Sequence, residues 1–442
     1  MNGDMPFGAG LAAAELRAPN TIFALASGAG RAAIAVLRLS GPAAGRILAA
    51  LCGLPPPRRA SLRRLRGPAG ETLDHALVLW LPAPASYTGE DCAELFLHGG
   101  HAVIEKVSEA LVALGARPAE PGEFTRRAFL NGRMDLLEAE AIADLVDAET
   151  EAQRRQALRQ LEGELGALYR GWAGELRRLL ANAEAAIDFS DQDLPEIEDA
   201  PALARLTAAL ALHLADDRSG ERVREGLAIV VAGPPNAGKS SLINALAGRD
   251  VAIVAPTPGT TRDPVEARIV LGSLPVTLID TAGLRDSAEP IEAEGVRRAR
   301  ARAASADLVL AVTDASCPVA FPLDATAPVL AIANKTDLAA PPAGLLPVSA
   351  LTGAGLPELR ARLAEIAGGI AATAGPPPLT RARHRAALRD TEAALAAAAA
   401  APAPELRAEE LRAALAALGR ITGSVGVEDI LATIFSSFCI GK

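Results

Sequence analysis

Gly233-Pro-Pro-Asn-Ala-Gly-Lys-Ser240 follows an apolar run, Leu227–Ala232, and precedes a helical one, Ser241–Leu246. This is GxxxxGKS in a strand–loop–helix setting. The glycines let backbone amides approach phosphate, and the helix N-terminus favours its charge. Lys239 reaches for the β- and γ-phosphates and Ser240 for Mg2+, while Asn236, Ala237, Gly238 and Ser241 complete the contact surface. Further on, Asp280-Thr281-Ala282-Gly283 ends a strand with a carboxylate for the metal's outer shell and an amide that senses the γ-phosphate. Asn334-Lys335-Thr336-Asp337 ends another. A carboxylate there accepts from both guanine N1–H and the 2-amine, donors that adenine lacks, so Asp337 selects GTP over ATP. Ser349-Ala350 ends the next strand and, with Leu351, fits a base-contacting loop. Between the first two strands, Gly259-Thr260-Thr261-Arg262-Asp263 supplies a threonine for Mg2+, best placed at Thr261, and Ala255-Pro256-Thr257-Pro258 just before it completes the nucleotide-binding segment. A DxxG alone is weak; this ordered set is a GTPase signature.

The residue after DxxG is Leu284. It cannot hydrogen-bond water as a glutamine would, so another group must orient the nucleophile. No built-in arginine finger stands out, and Arg285 suits a surface ion pair better. Asn236 offers a side-chain oxygen beside the phosphates. It either steadies the loop or, with nearby carbonyls, holds a monovalent cation whose charge replaces an arginine's.

To bring these residues together, strands must end side by side. Leu227–Ala232, Glu266–Leu271, Val276–Asp280, Ala306–Asp314 and Ala327–Asn334 read as buried strands, several separated by helical segments. That pattern predicts a mainly parallel, doubly wound sheet. Residues 20–130 read as α+β, with His98 and His101 as loop residues. From Met134 the pattern is helical. Leu158, Leu161, Leu165, Leu168, Trp172, Leu176 and Leu179 predict one long amphipathic helix, and 202–225 continue as helix. After a stiff linker at Gly375–Pro378, residues 380–420 are helical again. The simplest architecture inserts the α/β domain into a helical domain split in sequence.

Composition agrees with packed domains: 442 residues, 50% of them hydrophobic, make about three domains the prior expectation. A net charge of −9 excludes a wholly basic coat but not a local patch. Only Lys106, Lys239, Lys335 and Lys442 are lysines among the 44 basic residues, and the last three fall inside motifs. Arg58, Arg59, Arg63, Arg64 and Arg66 crowd one segment, and Arg297, Arg298, Arg300 and Arg302 another. Most such clusters are solvated faces; the alternative is contact with RNA phosphates. Four scattered cysteines form no CxxC pair or disulfide framework, which points to a reducing compartment. No apolar run approaches the ~20 residues of a membrane span, and the first 16 residues lack a secretory pattern.

The flanks narrow the choice among GTPases. The chain ends Phe435-Ser-Ser-Phe-Cys-Ile-Gly-Lys442. Upstream it carries Tyr87-Thr-Gly-Glu-Asp91, His98-Gly-Gly100, Pro121-Gly-Glu-Phe-Thr125, Ala128-Phe-Leu-Asn131 and Met134–Asp147. With the GTPase set, these resemble the tRNA uridine-5-carboxymethylaminomethyl modification GTPases, the MnmE or TrmE family, over nearly all of 20–442. The resemblance implies an N-terminal tetrahydrofolate-binding and dimerisation domain at 1–132, helical segments at 133–225 and 376–442, and an inserted Ras-like G domain at 226–375. It implies a cytoplasmic homodimer that works in a heterotetramer with the FAD-dependent protein GidA (MnmG). It implies a tRNA substrate modified at C5 of the wobble uridine; the alternatives are a ribosome-assembly GTPase or a nucleotide-gated scaffold without uridine chemistry. The family's folate is a 5-formyl- or 5,10-methylene-tetrahydrofolate. By position, Asn236, Ala255, Thr257 and Thr260 match K+ ligands, Ser240 and Thr261 match Mg2+ ligands, and Glu292 matches the acid that orients water. Arg38, Glu94, Arg133 and Lys442 match folate contacts, although Arg133 replaces the lysine of some relatives. Without the family, Arg38 and Glu94 read as an ordinary strand-face pair. Cys439 either adds to C6 of the uridine as a thiolate or anchors the tail as a small buried residue.

Overall fold

The computed structural model describes residues 20–28, 30–188, 199–216, 218–248, 266–280, 306–319, 327–371, 377–425, 431, 434–436, 438 and 441. By packing, the chain divides into two compact units. One comprises Met1–Ala143, Leu161–Asp199 and Ala393–Lys442; the other comprises Asp144–Gln160 and Ala200–Glu392.

In the first unit, β1 (Ile22–Leu25), β2 (Ile34–Ser40), β3 (Ser61–Arg66), β4 (Thr72–Leu81), β5 (Cys92–His98) and β6 (Arg117–Pro118) form one sheet in the order β3-β4-β5-β2-β1-β6. Its pairs are antiparallel except β1 with β6. Alternation selects the faces: along β4, Asp74, Ala76, Val78 and Trp80 are buried while their neighbours point the other way. On the inner face, α1 (Ala44–Cys52) and α2 (His101–Ala113) bury Ile47, Leu48, Leu51, Val107 and Leu111 against Leu37, Leu39 and Leu95. Helix α3 (Glu123–Leu130) follows. Next, α4 (Leu136–Val146) starts on reciprocal bonds, Asp135 N to Glu138 Oε2 at 2.7 Å and Glu138 N to Asp135 Oδ1 at 2.9 Å.

The sequence predicts one helix through Leu158–Leu179, but there are two, α5 (Glu151–Leu161) and α6 (Glu164–Asp188). Gly163 between them stands at φ +84°, a left-handed conformation that stops a helix while the apolar spacing runs on. Likewise 202–225 divides into α7 (Ala200–Leu214) and α8 (Ser219–Glu225), broken where Arg218 has φ +60°.

In the second unit, β7 (Leu227–Ala232), β8 (Glu266–Leu271), β9 (Leu274–Asp280), β10 (Leu308–Asp314), β11 (Val329–Asn334) and β12 (Leu346–Pro347) order as β12-β11-β10-β7-β9-β8. All neighbours are parallel except the β8–β9 hairpin. Parallel strands bury both faces. Leu227, Ile229 and Val231 of β7 join one cluster with Leu242 and Leu246 of α9 (Lys239–Ala247) and Leu359 and Leu363 of α10 (Leu356–Ala371). Val230 and Ala232 join another with Ile279 and Val309. The mainly parallel sheet is therefore as the sequence predicts.

Past the sheet, α11 (Ala382–Ala400) returns beside α8. Buried Arg385 donates to Glu221 Oε1 (2.9 Å), Asp216 Oδ1 (2.6 Å) and the Leu214 carbonyl (2.9 Å). The Leu379 amide donates to the other Asp216 oxygen at 3.1 Å, and Thr380 Oγ1 donates to Gln160 Oε1 at 2.9 Å.

In the first unit, α12 (Pro404–Thr422) packs along α6. Beyond it, Phe435 and Phe438 pack with Leu136 and Phe129. Gly441 lies so close to β1 that a Cβ on it would come 2.1 Å from the Leu25 carbonyl oxygen. The described part of the tail therefore ends against the N-terminal sheet.

Candidate functional site

The phosphate loop leaves β7 at Gly233 and enters α9 at Lys239, as its spacing requires. Gly238 has φ +86°, and a Cβ there would meet Asn334 Nδ2 at 2.3 Å. That close approach has a purpose. Asn334 is 1% exposed; its Nδ2 donates to the Ala237 carbonyl at 2.9 Å, and its Oδ1 accepts from the Ala350 amide at 3.0 Å. One buried side chain thus joins the phosphate loop to the loop of Ser349 and Ala350. The buried Lys239 ammonium donates to the carbonyls of Gly233 (3.0 Å) and Pro234 (3.1 Å), inside the curve of the loop. Ser240 Oγ and Asp280 Oδ2 are 2.5 Å apart, brought together because Val231 of β7 pairs with Asp280 of β9. A hydroxyl backed by a carboxylate is an all-oxygen donor set suited to Mg2+. Asn236 stands exposed at the loop's turn with φ +63°.

On the base side, Ser349 Oγ donates to Asp337 Oδ1 at 2.5 Å. Ser349 and Ala350 lie beyond β12, whose two residues end at Pro347, and Leu351 is exposed. Lys335, at φ +62°, places Nζ 2.6 Å from Asp314 Oδ2. Asp314 also accepts from the Ser316 amide (2.9 Å) and hydroxyl (2.6 Å). Lys335 and then Ser316 hold its carboxyl down at about 2. Sequence reasoning passed over Asp314, although it ends a strand and pairs in register with Asn334.

Ala255, Pro256, Thr257, Pro258, Gly259, Thr260, Thr261, Thr281, Ala282, Gly283, Glu292, Cys439 and Lys442 lie outside the described residues.

The N-terminal sheet carries a second candidate. Arg38 and Glu94 are register partners, and Arg38 Nε and Nη2 donate to Glu94 Oε1 at 3.0 and 2.9 Å. The guanidinium lies 4.8 Å from the Tyr87 ring centre and 5.8 Å from that of Phe124. Burial pushes the Tyr87 phenol up, opposed by its bond with Thr125 and by Arg38. A carboxylate and a guanidinium over aromatic rings suit a flat polar ring bearing an acidic tail, which fits a folate. Arg133 is exposed, its stem packed over Gly89. Sequence reasoning missed Tyr87 and Phe124 as site residues, because single aromatics in loop-like segments carry no periodic signal. His98, expected in a loop, ends β5, and its Nδ1 sits 2.7 Å from buried Asp74. His101, likewise expected in a loop, opens α2.

A cleft of about 770 Å3 in the second unit is lined partly by two ion pairs, Arg224 with Asp144 and Arg268 with Glu149.

Two family models match the chain: "GTP-binding protein TrmE N-terminus" over residues 21–133 and "MnmE helical domain" over 136–439. A protein of Gluconacetobacter diazotrophicus described as "tRNA modification GTPase MnmE" is 58% identical over 431 residues, spanning 95% of this chain and 98% of the relative. Proteins of the same description from Granulibacter bethesdensis and Rhodospirillum rubrum are 57% and 54% identical. Each alignment spans 96% of this chain and 99% of the relative.

Proposed function

The chain belongs to the MnmE family of tRNA modification GTPases, and from that premise we propose a K+-stimulated GTPase that drives uridine modification in tRNA. With an FAD-dependent partner, it adds an aminomethyl or carboxymethylaminomethyl group to C5 of the wobble uridine. The observation that carries the nucleotide half is the buried Asn334 bridge, which sets the phosphate loop and the base-reading loop in one frame.

In this reading, the loop amides and Lys239 bind the β- and γ-phosphates, Ser240 and Thr261 hold Mg2+, and Asp280 backs Ser240. Asp337 takes the guanine edge, and Ser349, Ala350 and Leu351 border the base. Asn236, Ala255, Thr257 and Thr260 hold K+, whose charge, when bound, replaces that of an arginine finger. Glu292 orients the attacking water, the role Leu284 cannot fill. Arg38, Glu94, Arg133 and Lys442 bind the tetrahydrofolate derivative, and Cys439 serves the uridine as a thiolate. The tail's approach to β1 supports bringing Cys439 and Lys442 to the N-terminal sheet. The protein acts as a cytoplasmic homodimer, in a heterotetramer with MnmG. Its domains follow the 1–132, 133–225, 226–375 and 376–442 division. Among the described residues, no helix is long and apolar enough to cross a membrane.

The test measures GTP hydrolysis in K+ and in Na+ buffer, with tetrahydrofolate binding on the same sample. Faster turnover in K+ and saturable folate binding are expected. Indifference to the cation removes the K+ mechanism. A deletion strain that keeps its wobble uridines fully modified removes the tRNA role.

A further inference from the structure

Edge strand β3 and the turn that leads into it carry Arg58, Arg59, Arg63, Arg64 and Arg66. Four are exposed and Arg63 is half-buried. Arg58 donates to the Ala85 carbonyl, and Arg63 Nε is buried without a hydrogen-bond partner. Among the described residues, none of the five is paired with a carboxylate. By contrast Arg38, Arg117, Arg127 and Arg170 of the same unit each lie within 3.1 Å of one. The acids that could face the cluster are engaged elsewhere. Glu71, in the β3–β4 hairpin, is turned onto Gly67. Asp74 is buried and accepts from the His98 amide at 2.9 Å. Opposite β3, β4 sets His75 across from Arg64 and Leu77 across from Leu62. Both leucines are exposed, Leu62 at 71%.

One or two charges keep an edge strand from pairing with another chain. Four exposed charges without a carboxylate partner among the described residues, in a protein whose net charge is −9, concentrate positive potential that a polyanion would neutralise. Arg64 and Arg66 share a strand face, about 6.7 Å apart along it, comparable with the distance between successive phosphates of an RNA strand. A membrane surface is the poorer partner, because these arginines follow one extended strand and do not flank a broad apolar face.

We propose that β3 and its approach bind the phosphate backbone of the tRNA substrate. The inference rests on the tRNA reading above. The test uses the full-length triple variant Arg59→Gln/Arg64→Gln/Arg66→Gln, with tRNA affinity measured at 50 and 200 mM salt. Loss of three phosphate contacts lowers the ratio of the two affinities about 20- to 40-fold. The corresponding lysine variant restores most of that ratio, and GTP hydrolysis without tRNA stays at the wild-type rate in both. Should the glutamine triple variant melt early, Arg64→Gln and Arg66→Gln singly carry the test, each lowering the ratio about threefold. A wild-type salt dependence in the glutamine variants overturns the proposal. So does a loss of binding confined to anionic phosphatidylserine vesicles. Wild-type protein that binds no tRNA also overturns it, while wobble-uridine modification in the deletion strain decides the parent reading separately.

Discussion

Replacing Asn334 with alanine tests whether one buried amide aligns the two halves of the nucleotide site. The side chain makes two hydrogen bonds, to the Ala237 carbonyl and from the Ala350 amide, and is 1% exposed. Each such bond contributes about 1 kcal/mol net, and each buried group left unpaired costs about 1 kcal/mol or more. Asn334→Ala should therefore destabilise the second unit by about 2–4 kcal/mol. The consequence for binding is separate. Without the bridge, the phosphate loop and the Ser349 loop align only when nucleotide joins them, so GDP affinity should fall about tenfold or more, the equivalent of at least ~1.4 kcal/mol. Urea unfolding with and without GDP, together with titration of a fluorescent GDP, measures both. Lost stability with GDP affinity within about twofold of wild type would refute the alignment argument and leave Asn334 a packing residue.

Asp337→Asn should weaken discrimination between GTP and ATP in a competition assay; unaltered selectivity would remove Asp337 from base reading. Asp314→Asn frees Lys335 from its ion pair and should weaken GDP binding several-fold with little change in melting temperature; equal GDP affinity would dismiss the pairing as incidental. Arg385→Ala leaves Asp216 and Glu221 without their shared guanidinium, although Glu221 keeps Arg218 at 2.8 Å, and the lost charge-assisted bonds should cost about 1.5–3 kcal/mol in urea unfolding. His213 is buried, and burial lowers its pKa, opposed by Asp216 and assisted by Arg385. The folded chain then binds fewer protons than the unfolded one just below the ordinary histidine value. Its contribution to stability is present above about 6.5 and declines as the pH falls below that. His213→Leu should flatten this part of a melting-temperature profile against pH.

The placement of Lys239, Asp280 and Asp337 at or just beyond strand ends was legible because order and spacing along the chain fix it. The parallel sheet was legible for a related reason, since strands buried on both faces appear as short unbroken apolar runs. Two kinds of feature escaped. Helix breaks at Gly163 and Arg218 turn on backbone conformation, while the hydrophobic spacing continues across them. Contacts such as Lys335 with Asp314, or Arg38 over Tyr87, depend on strand register and loop path, which no local pattern encodes. Arg38 and Glu94, by contrast, read as an ordinary strand-face pair without the family, and the register of β2 beside β5 makes them one.

The nucleotide-binding fold has its doorway sewn shut. Gly220, just before β7, abuts the Leu379 carbonyl, and Gln156 donates to the Gly220 carbonyl at 2.9 Å. Leu379 and Thr380, just after the fold, are fastened to Asp216 and Gln160. The chain thus enters and leaves the fold at neighbouring points, Gly220 beside Leu379, so a short bridge can close the chain where the fold is taken out. A host bridged there by a few glycines should keep its helices, as circular dichroism would register. Over evolutionary time, such a junction lets a lineage refine or exchange its motor while the chassis stays in place.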